Sequence, residues 1–364
     1  MFNNIYKDKT VLVTGHTGFK GAWLSLWLTL LGAKVVGYAL DTDIERSIYK
    51  RANIEKRIYA DIKGDLRDYD KLQEVFEEFQ PEVVFHLAAQ ALVKESYIIP
   101  KETYEINVMG TINVLEAVRC SKSVKTAIII TSDKCYENVE QIWGYKENDR
   151  MGGYDPYSSS KGCCELVVSS WRNSFFSPKD YEKHGKVVAS VRAGNVIGGG
   201  DWSTNRLVPD CIKAFEQNLD IEVRNPQATR PWEHVLEPLG GYLRLGQLMI
   251  ETPTNFYDCF NFGPSIKSNK TVYEVVNLLI EKYGRGNLVD ISSSENVHEA
   301  GLLYVDTTKA FFKLAWFSVL ELEETIDYTV NWYKEEIRGV DMYEYSKLQI
   351  LQYTEKAKKE WSFS

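Results

Sequence analysis

The segment 128–161 contains three kinds of side chain suited to alcohol oxidation, namely a hydroxyl, a phenol and an ammonium. An apolar run ends in Thr131 and Ser132, and a glycine- and proline-marked segment leads to Tyr157, with Lys161 four positions later. Residues four apart on a helix project from the same face. A nearby ammonium favours the phenolate of a tyrosine, whose ordinary pKa of about 10 makes it a poor base. With a Thr131 or Ser132 hydroxyl on the same substrate oxygen, the pattern predicts proton removal from an alcohol whose carbon loses hydride.

Asp133 and Lys134 follow the same apolar run and suggest a second reaction. A new ketone acidifies the neighbouring C–H bond, so that a base can remove this proton while an acid protonates a leaving hydroxyl. Lysine is an unusual base, because its ordinary pKa is about 10.4. Lys134 could instead remain charged and stabilise an enolate, and the pair could also be a surface ion pair in a turn. The functional interpretation is β-elimination of water.

A glycine pattern near the N-terminus predicts a dinucleotide site. The β-branched run 10–14 is followed by Gly15, Gly18 and Gly21, and then by an apolar helix of typical length. The glycines allow a tight turn, close approach to a pyrophosphate and close packing of helix on strand. The free amides of the helix N-terminus then face the phosphates.

The next predicted strand, 34–40, ends at Asp41, which is placed to accept a hydrogen bond from a ribose hydroxyl. An acidic residue there favours NAD over NADP, although Lys20 and Arg46 keep NADP open. After a further strand, Asp65 and Leu66 line an adenine edge or cap the amphipathic helix 69–79.

Alternation of strands and helices predicts an α/β fold with a doubly wound parallel sheet and a smaller C-terminal α/β substrate lobe. We place the dinucleotide-binding domain at 1–193 and the lobe mainly at 194–364, with short segments returning to the first domain. Ligands of such sheets bind at the carboxyl ends of the strands. In the C-terminal part we predict helices at 207–218, 237–250, 271–283 and 322–334.

Composition limits the function classes. A net charge of -8 over 364 residues gives no basic field for nucleic acid. The six cysteines show no CxxC pair and no metal-type spacing, so we expect reduced thiols and no metal. The sequence shows neither a signal region nor an apolar run that could span a bilayer, and we expect a soluble cytoplasmic protein.

Several motifs identify a resemblance. TGHTGFKG, NVMGT and the Tyr157-to-Lys161 spacing resemble the extended short-chain dehydrogenase/reductase family. TSDKCYEN, MGGYDPYSSSKG, SVRAGNVIGGGDW, RPWEHVLEPLGGYL and HEAGLLYVDTTKA resemble the nucleotide-sugar 4,6-dehydratases of this family that act on CDP-glucose. The related dTDP-glucose enzymes carry aspartate-glutamate where this chain has Asp133 and Lys134. The chain departs from the family pattern in two places. The segment after Asp41 lacks the proline that the family tends to have there, and LAWFSVLELEE stands where the family has Leu-Gly-Trp followed by a proline.

The resemblance implies NAD-dependent oxidation at C4 of the glucosyl unit, loss of water across C5 and C6, and hydride return to C6. Tyr157 would be the C4 base, Ser132 its partner, Lys161 its support, Asp133 the acid and Lys134 the candidate C5 base. A dimer or tetramer through helices of the cofactor domain is also implied. The implied NAD-binding residues are Gly15, Thr17, Gly18, Phe19, Gly21, Asp41, Asp65, Leu66, Ala88, Ala89, Gln90, Asn107, Tyr157 and Lys161. The implied substrate-binding residues are Asn195, Arg206, Arg230, His298 and Glu299.

Alternatives remain at this stage. Arg230 could form an ion pair, His298 and Glu299 could be an ordinary loop pair, and Asn195 could bond its own backbone in a glycine-rich turn. A dehydratase for another nucleotide, or a 4-epimerase, would share the scaffold, but an epimerase does not need Asp133 and Lys134. A dinucleotide-binding regulator that lost catalysis would have no use for the intact Ser132, Tyr157 and Lys161.

Overall fold

The computed structural model describes residues 1–292 and 301–361. In the first half, strands and helices alternate. They are β1 (Thr10–Thr14), α1 (Phe19–Leu30), β2 (Lys34–Ala39), α2 (Ile48–Arg51), β3 (Ala60–Lys63), α3 (Tyr69–Phe79), β4 (Val83–His86), α4 (Val93–Ile98), α5 (Pro100–Tyr104), α6 (Gly110–Cys120), β5 (Thr126–Ile130), α7 (Pro156–Ser174), α8 (Tyr181–His184) and β6 (Val187–Ala193).

The second half has shorter strands and longer connections. Its elements are β7 (Asn195–Ile197), α9 (Leu207–Gln217), β8 (Ile221–Val223), β9 (Thr229–His234), α10 (Leu236–Glu251), β10 (Cys259–Phe262), β11 (Asn269–Thr271), α11 (Val272–Tyr283), β12 (Leu288–Asp290), α12 (Thr308–Leu314), α13 (Leu322–Ile337) and α14 (Met342–Glu360).

Seven strands form one parallel sheet in the order β10-β6-β5-β4-β1-β2-β3. Its inner strands are continuous apolar runs because helices cover both faces, and the two faces carry separate apolar cores. The chain crosses from β3 back to β4 beside β1, which reverses the direction of winding. This arrangement confirms the predicted doubly wound α/β fold, and its ligand crevice lies at the carboxyl ends of the strands.

The smaller lobe contains two minor sheets, one ordered β11-β9-β7 and one pairing β12 with β8. The C-terminal half also contributes to the large sheet, because β10 pairs with β6 and α10 packs against β5. The division of domains at residue 193 stays a prediction.

The composition of helix α1 explains why this helix is buried in the core. Its residues are apolar on all sides, and a helix of that kind must be buried. Trp23 and Trp27 are buried on it, between the sheet and the helices α10 and α14. No helix within residues 1–292 or 301–361 is both long and apolar enough to cross a bilayer.

The predicted C-terminal helices agree with the structure to within three residues at each end. Helix α9 stops at Gln217, because Asn218 adopts a left-handed conformation with φ 54°. Helix α13 continues to Ile337, beyond the predicted 334.

Candidate active site

Helix α7 is started by its own sequence. Asp155 caps it by accepting hydrogen bonds from the Ser158 amide at 2.9 Å and from the Ser158 hydroxyl at 2.6 Å. Tyr157 therefore falls in the first helical turn, and Lys161 follows one turn later. The Lys161 ammonium donates to the Ile130 carbonyl, at the end of β5, over 3.4 Å. The predicted pair is thus held against the end of β5.

Burial determines the resting charge of this pair. It raises the pKa of Tyr157 to about 12, while a hydrogen bond with Ser132 and the positive charge of Arg206 act in the opposite direction. Burial lowers the pKa of the Lys161 ammonium. Tyr157 therefore rests as a phenol, and its conversion to a base requires a proton acceptor or additional positive charge.

The segment after β5 turns sharply and buries a carboxyl. The Ser132 hydroxyl accepts from the Lys134 amide at 3.2 Å and donates to Asp133 Oδ1 at 3.0 Å. Asp133 is 2% exposed, so the pair is not a solvent-exposed ion pair in a turn. Asp133 Oδ2 has no hydrogen-bond partner among the described residues. Burial raises the pKa of Asp133 against the opposing charge of Lys134, which favours the neutral acid.

A hydrogen-bonded network surrounds a second buried carboxyl, Glu165, close to the end of β5. Glu165 accepts from the hydroxyl of Thr131, from the Ser190 hydroxyl at 2.8 Å and from the Arg192 guanidinium at 2.8 Å. Its pKa is lowered, because the Arg192 charge and these hydrogen bonds outweigh burial. Our sequence reasoning missed this network, although Glu165 stands one helical turn beyond Lys161.

The glycine loop fits a dinucleotide. A Cβ on Gly15 would lie 2.7 Å from the Ala88 amide, and one on Gly21 would lie 2.1 Å from the Gly15 carbonyl. Only glycine permits that packing. Gly18 precedes α1, whose first turn, beginning at Phe19, has no capping side chain and no acidic residue. The free amides of this turn are therefore available to an anion.

The neighbouring loops complete the cofactor side. The Thr17 hydroxyl donates to the Leu40 carbonyl at 2.9 Å and so joins the glycine loop to the end of β2. Asp41 follows with a largely exposed carboxylate, 3.6 Å from the Lys63 ammonium. Arg46, by contrast, is paired with Glu216 at 2.7 Å, so this arginine is engaged away from Asp41.

Two predicted cofactor residues lie after β3. Asp65 bonds to Arg67 at 2.6 Å, and Leu66 is buried at the end of the strand. The alternative in which Asp65 caps the following helix is wrong, because Asp68 caps α3 and accepts from the Lys71 amide at 3.1 Å.

Asn107 lies in a π-helical turn and joins the loop after β4 to α7. Its side chain accepts from the Gln90 amide at 2.8 Å and donates to Ser160 at 2.8 Å. Ala88 and Ala89, between β4 and Gln90, are only partly buried. The cofactor-binding roles of these residues stay predictions.

The predicted substrate residues are distributed over the lobe. Asn195 begins β7, and Arg206 is paired with Asp201 at 2.9 Å just before α9. Arg230 lies in β9 and donates to the Thr229 carbonyl at 2.9 Å. Its positive charge opposes the burial that raises the pKa of Asp133. The other two predicted residues, His298 and Glu299, lie outside the described residues.

Two further titratable side chains interact electrostatically with Asp133, and the sequence reasoning did not assign them to the site. Glu233 on β9 is buried, and both its carboxyl oxygens have no hydrogen-bond partner within the described ranges. Lys20 on α1 has a pKa lowered to about 8 by burial, against the charges of Glu233 and Asp133. The motif TGHTGFKG contains Lys20, but only the fold brings it near β9.

The sheet, the glycine cradle and the buried Tyr157–Lys161 pair define a protein of the extended short-chain dehydrogenase/reductase class. A family profile described as GDP-mannose 4,6 dehydratase matches residues 12–329, and the chain belongs to this family. It is 49% identical over 350 residues to a CDP-glucose 4,6-dehydratase of Salmonella typhimurium, covering 96% of this chain and 97% of that protein.

Solved structures show the same fold. A dTDP-glucose 4,6-dehydratase from Bacillus anthracis in complex with NAD aligns with a TM-score of 0.74 at 19% identity, over 90% of this chain and 97% of that one. The epimerase Mth375 from Methanothermobacter thermautotrophicus aligns with a TM-score of 0.78 at 23% identity, over 92% and 95%. One scaffold thus carries both dehydratases and epimerases, and the chemistry must be read from the site.

Proposed function

We propose that this protein is a nucleotide-sugar 4,6-dehydratase that converts CDP-D-glucose to CDP-4-dehydro-6-deoxy-D-glucose with tightly bound NAD. The observation that carries the reaction class is the buried carboxyl of Asp133 near Tyr157, whose Oδ2 has no hydrogen-bond partner in the part of the chain that the structure describes. The relative at 49% identity over nearly its full length supports the substrate. Two residues support NAD over NADP. The Asp41 carboxylate is exposed and can accept from a ribose hydroxyl, and Arg46 is already paired with Glu216.

The first step opens the sugar to elimination. Tyr157 takes the proton of the C4 hydroxyl, Ser132 holds the same oxygen, and the Lys161 ammonium favours the phenolate. NAD, when bound, supplies the hydride acceptor for C4 and returns the hydride to C6. Burial of Tyr157 and Lys161 keeps water from the reacting atoms.

The second step is the loss of water from C5 and C6. Lys134 takes the C5 proton, or holds the enolate as a cation, while Asp133 protonates the leaving C6 oxygen. A carboxyl whose pKa is raised by burial suits this task, because burial favours its protonated form. On the substrate side, Arg206 and Arg230 would bind the pyrophosphate, since a guanidinium suits phosphate oxygens. Asn195, His298 and Glu299 would bind the remainder of the nucleotide-sugar, as the family resemblance implies.

The test is turnover of matched nucleotide-sugars by the purified protein. We expect CDP-glucose to lose one water by mass, and the dTDP-, UDP- and GDP-linked sugars to react far more slowly. CDP-glucose recovered unchanged while another sugar loses water would refute the substrate. An isomer of unchanged mass would instead identify a 4-epimerase.

In the Lys134→Met variant we expect C4 oxidation without elimination, and normal turnover would remove Lys134 from the mechanism.

We also propose a homodimer or homotetramer. Exposed apolar side chains on neighbouring helices support it. They are Tyr97, Ile98, Tyr104, Met109 and Leu166. Light scattering tests the proposal, and Leu166→Lys should lower the measured mass if this face is the interface.

A cytoplasmic location is proposed because the six cysteine thiols are unpaired, which suits a reducing compartment.

A further inference from the structure

The carboxylate of Asp41 lies between two lysine side chains. Its Oδ1 is 3.6 Å from the Lys63 ammonium and 4.0 Å from the Lys50 ammonium. A carboxylate in this place accepts a hydrogen bond from the adenosine ribose of NAD, and this inference rests on the NAD binding of the proposed function. A ribose hydroxyl is neutral and needs no cation beside it. The ribose of NAD therefore does not account for two ammonium groups at this point.

Lys63 is held in place by a second carboxylate, which is largely buried. The Lys63 ammonium donates to the two oxygens of Asp61 at 3.0 Å and 3.1 Å, and to the Tyr49 hydroxyl at 2.6 Å. Asp61 also accepts from the Tyr49 hydroxyl, and its Oδ1 lies 2.7 Å from Nε2 of the buried His16. These contacts do not involve Asp41. The position of Lys63 is therefore independent of the Asp41 charge.

Lys50 belongs to the short helix α2, which is also fixed without Asp41. Ser47 caps this helix by accepting from the Lys50 amide at 3.4 Å. The ammonium groups of Lys50 and Lys63 lie 5.7 Å and 4.7 Å from the centre of the Tyr49 ring. Because Tyr49 is buried, its ring provides a fixed surface beside which both charges face Asp41.

The two lysines suit the group that distinguishes NADP from NAD, a phosphate on the ribose hydroxyl. Such a phosphate would meet the like charge of Asp41, whose pKa is lowered mainly by a hydrogen bond from the Thr42 amide. Without this carboxylate it would meet two ammonium groups, and lysine binds phosphate well. Arg46, which the sequence suggested for this role, is paired with Glu216 instead.

We propose that Lys50 and Lys63 form a site for the 2′-phosphate of NADP that Asp41 keeps closed. The preference for NAD then comes from repulsion by one carboxylate, and not from a lack of cations for the phosphate. Asp41 is thereby the specificity-determining residue of a site that would otherwise accept either dinucleotide.

The test measures which dinucleotide the purified full-length protein holds at equilibrium. The protein is incubated with equal concentrations of NAD and NADP until the bound ratio is constant, and the bound cofactors are then released and quantified by chromatography. Asp41→Asn keeps the shape and an acceptor oxygen but removes the charge. We expect it to raise the bound NADP-to-NAD ratio by about 10- to 100-fold, the contribution of one or two hydrogen bonds to a charged group. An unchanged ratio would refute the role of Asp41.

Lysine variants in the Asp41→Asn background test the phosphate site. Lys63→Met and Lys50→Met should each reduce the gain, Lys63→Met by about tenfold because its ammonium is closer. Lys63→Arg keeps the charge and should keep the gain. Lys34, exposed at the opposite end of β2, provides the matched control, and Lys34→Met should leave the gain intact. A gain that survives both methionine variants, or that falls equally in Lys34→Met, would refute the site.

Two further results separate this inference from the proposed reaction. If the wild-type protein retains neither dinucleotide, the cofactor of the proposed function and this inference fail together. If it retains NAD but does not dehydrate CDP-glucose, only the proposed reaction fails. Thermal unfolding compares the folding of the variants. Lys50→Met leaves the bonds of Asp61 intact, so it tests the site even if Lys63→Met folds poorly.

Discussion

Two buried carboxyls, Asp133 and Glu165, lie near the end of β5 and have different hydrogen-bonding surroundings. Glu165 receives hydrogen bonds from Thr131, Ser190 and Arg192, and its pKa is lowered. Asp133 receives one from Ser132, keeps Oδ2 without a partner among the described residues, and has a raised pKa. The two are equally inaccessible to water, so burial alone does not explain the difference.

The difference lies in what each carboxyl is bonded to. A satisfied buried group holds its neighbours in place, and its removal leaves other groups unpaired. A buried carboxyl without a full set of hydrogen bonds destabilises the folded protein. Such a group is retained where a bound substrate can provide the missing partner. Glu165 therefore stabilises the structure around the site, and Asp133 is the carboxyl that we propose as the catalytic acid.

The largest expected effect is on catalysis at Asp133. Asp133→Asn keeps the shape but removes the acidic proton, so we expect turnover of CDP-glucose to fall by about 10²- to 10⁴-fold, or about 3–5 kcal/mol in barrier. Stability in urea should be retained or slightly increased, because an unpartnered buried acid is replaced. Oxidation without elimination should appear as accumulated reduced nicotinamide absorbance. Turnover at the wild-type rate would end the assignment of Asp133 as the acid.

At Glu165 we expect the loss to be in stability. Glu165→Leu leaves Arg192 buried without its carboxylate, which should cost about 3–5 kcal/mol of unfolding free energy in urea. Glu116, paired with Arg119 on an exposed helix face, provides the control, and Glu116→Leu should cost less than about 1 kcal/mol. Adding Arg192→Met to Glu165→Leu should recover part of the loss. Equal costs at the two glutamates would remove the distinction drawn between Glu165 and Asp133.

The smallest effect is the pH dependence of stability, and its sign differs between the two carboxyls. Because the folded pKa of Asp133 is raised, the folded state holds its proton longer, and stability falls as pH rises above about 4. The advantage of Asp133→Asn should therefore grow with pH. The Glu165 contribution is present above about pH 4.3 and disappears as acid titrates its lowered pKa. Urea titrations across this range measure both differences, and matching slopes would contradict the assignment.

The fold could be predicted because its information is local. Strands such as β1 and β5 are continuous apolar runs between glycines and polar residues, and α1 begins directly after the glycine loop. The helix ends were less accurate, because single residues decide them. Asn218 ends α9 by its backbone conformation, and Asp68 rather than Asp65 starts α3.

The site was only partly predictable. Tyr157, Lys161 and Asp133 lie close together in the chain, so spacing alone suggested their cooperation. Lys20 and Glu233 belong to segments that meet only after β9 has paired with β7 beside α1. No periodicity in the sequence encodes that meeting, and the same holds for the contacts of Glu165 with Ser190 and Arg192.

The ion pairs of Arg46 bear on how long the cofactor stays. The loop that follows Asp41 is held to the other half of the chain by Arg46, which binds Glu216 and Glu336 and stacks 4.0 Å above Trp202. Moving this loop away from the other half of the chain would break these contacts together. A reaction that reoxidises its own nicotinamide has no need to exchange it. The contacts of Arg46 therefore suit a cofactor that stays bound through many catalytic cycles, like a prosthetic group, rather than one that exchanges with a cellular pool.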